Sequence, residues 1–216
     1  MQGISIATIA IILANVIISI KGFSDFSFFE KYKFNIAGIR RGEQIRMFSS
    51  GFLHADYAHL FFNMFTFYFF ADVVLAEVGV AKFLSIYLGA LLVGNLLSLY
   101  FHKDEYHYSA VGASGAVTGI LYAAILFEPD MSLYLYFIPI PIPAWVFGIL
   151  YLAYSIYGMK SRQGNIGHDA HFGGAIAGYI LGIAFVPSLL QTDLWLIGLL
   201  AVPIIALLIL HKLGKI

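Results

Sequence analysis

The sequence predicts an all-α protein, a polytopic bundle of membrane-spanning helices. Three observations carry that reading. Of the 216 residues 61% are hydrophobic and only 11% charged, against roughly 25% charged in a soluble domain. The apolar residues gather into runs of spanning length separated by polar loops, and the mean hydropathy is +0.87. Two of those runs carry glycines four residues apart, a spacing that lets spanning helices approach closely. Other classes fall away on the same composition. Twelve Lys and Arg balance twelve Asp and Glu, so there is no nucleic-acid footprint. The absence of cysteine excludes disulfides, thiolate metal sites and a cysteine nucleophile.

Taken in order, Ile4 to Ile20 is a continuous apolar run, slightly short for a span. It lacks a basic leader and a small-residue cleavage site, so it reads as a retained helix. Lys21 to Asp56 holds half of the chain's Lys and Arg, mixed with Phe23, Phe26, Phe28, Phe29, Tyr32 and Phe34. Charge interleaved with aromatics suits a segment at headgroup level, and Arg40, Arg41, Glu43 and Arg46 suggest a short interfacial helix there. His59 to Val78 is the second span and Lys82 to Phe101 the third. The polar loop His102 to Tyr108 leads into the fourth, Ser109 to Phe127, with Ser114 near its start. Pro139, Pro141 and Pro143 alternate with isoleucine and cannot be helix interior. They predict an extended entry into a short fifth span, Ala144 to Gly158. Lys160 to Gly167 is a glycine-rich loop. His168 to Val186 is the sixth span and Leu194 to Leu210 the seventh, followed by His211, Lys212 and Lys215. Residues 1–187, including the interfacial loop 21–58, read as a six-helix core, and 188–216 as an added helix with a short basic tail. If spans alternate, the starts of the second, fourth and sixth helices converge near one face of the membrane.

Polar groups inside a bilayer are expensive and need partners, so those at the converging helix starts are informative. Ser114 stands between Gly112 and Gly115, with Gly119 one turn on. A small-residue seam of this kind needs no chemistry, and by itself it reads as packing. The sixth helix carries its own glycines at Gly174, Gly178 and Gly182, with His171 about one turn before Gly174. If these two seams face each other, Ser114 and His171 come within hydrogen-bond reach, a nucleophile beside a base. His59 and Asn63 lie at i and i+4, on one face of the second helix. Those residues together outweigh the packing reading of Ser114. Asp169 is two residues from His171 along a helix and so faces the other way.

The segments Gly112-Ala-Ser-Gly-Ala-Val-Thr-Gly119, His59-x-x-x-Asn63 and Ala170-His171-x-Gly-Gly174 resemble rhomboid intramembrane serine proteases, in the family's order and across Ile4 to Val186. Arg46 resembles the family's loop arginine, although Ile45 stands where a Trp is common. The seventh helix resembles that of the six-plus-one subtype. The resemblance implies Ser114 as nucleophile and His171 as base and then acid. It further implies His59 and Asn63 as donors to the oxyanion, a group that needs preorganised donors in a low-dielectric site, and the Ser114 backbone amide near a helix start is a candidate for another. Gly112, Gly115, Gly119, Gly174, Gly178 and Arg46 support the site. No metal or other cofactor is implied. Where many members have an aromatic one turn after the nucleophile, this chain has Thr118, so His171 must be oriented otherwise, by Thr118 or Tyr122.

The implied function is an endopeptidase acting on transmembrane protein substrates within the lipid bilayer. Its expected place is a bacterial inner membrane with the site opening to the non-cytoplasmic side, although the Lys and Arg distribution runs against that orientation. Substrate helices must partly unwind to expose a carbonyl. The proline-led fifth helix is a candidate gate and the Lys160 to Gly167 loop a candidate lid. Other readings weigh less. A metal site built from His59, His168, Asp169 and His171 lacks a His-Glu-x-x-His pattern and leaves Ser114 unexplained. A transporter would spread its polar groups across the bilayer. An inactive rhomboid-like binder is opposed by the presence of Ser114 and His171. His168 reads as a solvated helix start, His54, His102 and His107 as loop residues without chemistry, and Glu77 as a structural acceptor.

Overall fold

The computed structural model describes residues 4–134, 140–161 and 167–216. Helix α1 (Ile6–Ser24) is followed by a folded loop of three short helices, α2 (Phe26–Tyr32), α3 (Ile36–Arg40) and α4 (Arg46–Ser49). Helix α5 (Tyr57–Phe101) is 45 residues long and comprises two spans, because Gly79 adopts φ +74° and breaks it into 57–78 and 80–101. That backbone conformation favours glycine. Then come α6 (Ser114–Phe127), α7 (Ala144–Ser161), α8 (His168–Phe185), the short α9 (Leu189–Thr192) and α10 (Leu194–Lys212). Two tiny antiparallel ladders close loops: β1 (Phe34–Asn35) with β2 (Ser109–Ala110), and β3 (Ser132–Leu133) with β4 (Ile142–Pro143). The chain is thus an all-α polytopic bundle. By length and composition α1, α5 and α10 each suffice to cross a membrane.

Burial is inverted in the way a lipid solvent demands. On α1 the inward face is Thr8, Ile11, Asn15, Ser19 and Gly22, while Ile6, Ile9, Leu13, Ile17 and Ile20 point outward. Each inward polar residue finds a partner across the interface, although the Asn15 amide oxygen has none among the described residues. Thr8 Oγ1 donates to Asp72 at 2.6 Å, Asn15 Nδ2 to the Tyr87 hydroxyl at 3.2 Å, and Ser19 Oγ meets His54 Nδ1 at 2.8 Å. Apolar side chains gain nothing by leaving lipid, so helix association rests on such bonds and on close packing.

Close packing is greatest where α5, α6 and α8 meet. Helix α6 is buried on every side from Gly115 to Leu126, as expected of a helix apolar all round. At Gly174 a Cβ would overlap the Gly115 carbonyl oxygen, and at Gly178 the Gly119 carbonyl oxygen. The two glycine seams therefore face each other, backbone on backbone.

Several expectations change. The fourth span does not begin at Ser109: Ser109 and Ala110 pair with β1, and the helix starts at Ser114. Its 14 residues span only ~21 Å, less than the ~30 Å hydrocarbon core, so Ser114 starts below one surface. Arg41 to Ile45 form a turn between α3 and α4, because Gly42 at φ +99° interrupts the interfacial helix expected over Arg40 to Arg46. The fifth span is not short, since α7 runs 18 residues; its extended entry is seen at Ile142 and Pro143, and Pro139 lies outside the described residues. So does most of the expected lid, 162–166. Glu77 is exposed and accepts no hydrogen bond among the described residues.

Candidate active site

Ser114 is the first residue of α6, reached through a sharp turn. Gly112 sits at φ +130°, and its N–H donates to the Ser50 carbonyl at 3.0 Å. A side chain at 112 would be strained there, and its Cβ would come 2.8 Å from His59 Nε2 and 3.7 Å from Ser114 Oγ. Glycine at 112 thus keeps open the space between the nucleophile candidate and the His59 ring.

His171, one turn into α8, is buried, and its Nε2 lies 2.7 Å from Ser114 Oγ. The α6–α8 seam brings them together: Ser114 adjoins Gly115, His171 lies a turn before Gly174, and those glycines touch. His171 Nδ1 is 2.8 Å from the Tyr151 hydroxyl of α7, whose ring stacks at 25° to the imidazole. Tyr151 therefore does what was expected of Thr118 or Tyr122. Tyr122 instead donates to the Gly148 carbonyl at 2.7 Å, and Thr118 Oγ1 to the Ser114 carbonyl at 2.7 Å. The sequence signal for Tyr151 was its place with Phe147 and Tyr154 on one face of the fifth span.

His59 and Asn63 line the same cavity of about 950 Å³ as Ser114, Tyr151 and His171. Asp56 caps α5 by accepting the His59 N–H at 2.8 Å, which places His59 in the first turn. The Ala55 N–H approaches His59 Nδ1 at 3.5 Å. That contact leaves the proton on Nε2, the nitrogen turned toward Gly112. Asn63 Nδ2 donates one proton to the His59 carbonyl at 3.0 Å and keeps a second for another acceptor.

His54, expected to be an inert loop residue, is fully buried. Its Nε2 accepts the Ala113 N–H at 3.4 Å, while Nδ1 faces Ser19 Oγ, which donates to the Phe52 carbonyl at 3.1 Å. One imidazole thus ties α1 and the loop ahead of α5 to the residue before Ser114. Its burial was not legible locally, because it arises where three distant segments meet. Burial pushes its imidazole down to about 3, whereas an unfolded histidine titrates near ~6.5. Below that value the unfolded chain takes up a proton that the folded chain refuses, so stability falls as pH drops from about 6.5 towards 3. The melting temperature in detergent should exceed that of His54→Asn most at about pH 8, and the gap should shrink by about pH 5. A gap independent of pH would contradict a neutral, buried His54.

The remaining candidates sit outside the cavity's centre. Asp169 is buried, with His102 Nε2 3.7 Å from its carboxylate. His168 is not solvated: it is buried with its ring against Gly158 of α7, because α7 covers the start of α8. Arg46 is buried in the loop, where Nη1 donates to the Glu30 and Lys33 carbonyls at 2.8 and 2.9 Å. Its Nε donates to Glu43 at 2.5 Å, which holds that carboxyl below the usual range. Arg46 thus braces the loop without reaching Ser114.

Residues 41–188 match the Rhomboid domain model, a stretch that runs from the loop ahead of Arg46 through α8. The chain belongs to the rhomboid family. Among curated relatives, the mitochondrial Rhomboid protein 1 of Saccharomyces cerevisiae is 30% identical over 142 residues, 64% of this chain and 41% of its own. RHOMBOID-like protein 12, mitochondrial, of Arabidopsis thaliana is 28% identical over 81% of this chain and 57% of its own. The rhomboid protease GluP of Bacillus subtilis is 30% identical over 68% of this chain and 27% of its own. The alignments span from about a quarter to under two thirds of these relatives. The rhomboid domain and the long apolar helices make the chain an integral-membrane protein; two of these three relatives are mitochondrial by name, and the expected bacterial inner membrane finds no support in them. Helix α10 lies beyond the matched rhomboid domain.

Proposed function

We propose that this chain is an intramembrane serine endopeptidase that cleaves transmembrane protein substrates by a Ser–His dyad, Ser114 with His171. The observation that carries this reading is the 2.7 Å contact between Ser114 Oγ and His171 Nε2 on the wall of a cavity of about 950 Å³. Residues 1–187 form the catalytic core, and α10 is the added helix of a six-plus-one arrangement.

Each step of acyl transfer has a group in reach. His171 takes the Ser114 proton as Oγ attacks the scissile carbonyl, then hands it to the leaving amine. The developing oxyanion needs donors aimed at where charge appears. The donors available among the residues lining the cavity are His59 Nε2–H, the second Asn63 N–H and the backbone N–H of Ser114 at its helix start. The substrate arrives from the bilayer with its backbone hydrogen-bonded to itself. Segments with helix-weakening residues near the cut are therefore the preferred substrates.

Labelling of the detergent-solubilised protein by a fluorophosphonate tests the activated serine directly. Wild type should label and Ser114→Ala should not. Well-folded wild type that resists the probe would argue for a rhomboid-like binder without activity. For the oxyanion role, Asn63→Ala should lower kcat by about 10²- to 10³-fold, the loss typical of one donor, with little change in KM. Full activity in that variant, read on a transmembrane reporter substrate, would remove Asn63 from the site.

A further inference from the structure

A charge for which the reaction above has no use stands two residues before His171. Asp169 is buried in the first turn of α8, and its Oδ2 has no hydrogen-bond partner among the described residues. A carboxylate taken out of water is costly unless an opposite charge or hydrogen bonds compensate it. The group placed to compensate is His102, whose Nε2 lies 3.7 Å from that oxygen.

His102 follows the last residue of α5 and opens the loop to Tyr108. Its ring is fixed from two further directions. Nδ1 lies 2.9 Å from Glu105 Oε2, and the Tyr108 ring stacks on the imidazole at 3.6 Å and 7°. The imidazole therefore has a carboxylate at each nitrogen. A neutral ring donates from one nitrogen only and would turn the lone pair of the other toward a carboxylate, whereas the charged ring donates from both.

The two sides of this pair belong to the two halves of the dyad. Beyond Tyr108 the chain forms β2, which pairs with β1, and then the Gly112 turn that delivers Ser114. The first turn of α8 is wedged between helices at Ala170. A Cβ at Gly94 of α5 would come 2.7 Å from the Ala170 carbonyl oxygen, and one at Gly115 of α6 would come 3.1 Å from it. Asp169 and His171 flank that residue. The segment delivering the nucleophile and the turn carrying the base are thus joined twice, at Ser114–His171 on the cavity wall and at His102–Asp169 away from it.

We propose that protonated His102 is a cross-brace that holds the first turn of α8 against the loop leading to Ser114, and so keeps His171 in register with the nucleophile. Without the cation the buried carboxylate is drawn toward water, and the turn bearing His171 moves with it. A shift of ~1 Å is enough for about a hundredfold loss of rate. His102 and Asp169 are positioning residues, since neither contacts the reacting atoms. Glu105 is the lesser partner, because its side chain is half exposed and such pairs contribute little. The brace rests on the Ser–His reading above.

The test follows fluorophosphonate labelling and cleavage of a transmembrane reporter by the full chain in detergent. His102→Gln keeps a donor but no charge. It should slow labelling by about tenfold or more, the scale of a lost bond to a charged group, and lower kcat with KM little changed. His102→Arg supplies a planar cation that stacks on aromatic faces and donates to carboxylates. It should recover most of the rate, which a role in packing alone would not require. Glu105→Gln should stay within about threefold of wild type. Asp169→Asn leaves no charge to bury, so it serves even where His102→Gln does not fold. It should slow labelling comparably, and the double variant should be no slower than either single one. Unchanged rates in His102→Gln or Asp169→Asn, or an Arg variant as slow as the Gln one, overturn the brace alone. A wild type that does not label overturns the dyad itself, and the brace's part in the reaction with it.

Discussion

Alanine at Ser114 or at His171 is expected to remove cleavage of a transmembrane reporter by about 10⁴- to 10⁶-fold, the range seen when a serine or its base is deleted from such a unit. The two side chains form a single device, joined at 2.7 Å, so the double variant should be no worse than either single one. Neither side chain carries the fold. Among the described residues the His171 side chain bonds only to Ser114 and Tyr151, and the α6–α8 seam beneath the pair is built from glycine backbone. Circular dichroism and melting temperature should therefore stay close to wild type. Activity within about a hundredfold of wild type in Ser114→Ala would place the nucleophile elsewhere, because the residual left by binding and oxyanion donors is far smaller than that.

The second large effect comes from a residue with no chemistry. In Gly174→Ala the new methyl would overlap the Gly115 carbonyl oxygen, a backbone atom that no rotamer change can move. The helices must separate locally, and the separation falls between the residues adjoining Ser114 and the turn bearing His171. Overpacking of this kind costs about 1–3 kcal/mol or more in stability. A shift of ~1 Å in the pair is enough for about a hundredfold loss of rate. Both a lowered melting temperature and that loss of cleavage are expected. Gly198→Ala on α10 is the control. Nothing lies within 4 Å of its added Cβ, so it should leave activity intact and gain up to about 1 kcal/mol of helix stability. Equal effects from the two glycines would refute a specific seam.

Much of this architecture could be read from the chain because the bilayer simplifies the code. Spans must be long and apolar, and polar residues within them must be paired, so Ser114, His59, Asn63 and His171 stood out against their surroundings. Glycines four apart announced which faces would touch, and the Gly115–Gly174 and Gly119–Gly178 contacts follow from that spacing. The misreadings share a cause. His168 and His54 sit at sequence positions that look solvated, and each is buried because another segment, α7 or α1, covers it. Arg40 to Arg46 had helical composition, but Gly42 in a left-handed conformation turns the chain there.

The sequence by itself therefore determined the class of protein, most of the spans and the Ser114–His171 pair proposed to carry the chemistry, because hydropathy, period and small-residue spacing are local properties. Only the tertiary structure decided how His171 is held. Its Nδ1 partner comes from α7, 20 residues away in the chain, and no local rule links Tyr151 to a histidine on the next helix. Such a partner emerges only when three helices pack closely enough to bring a phenol, a hydroxyl and an imidazole into one buried space.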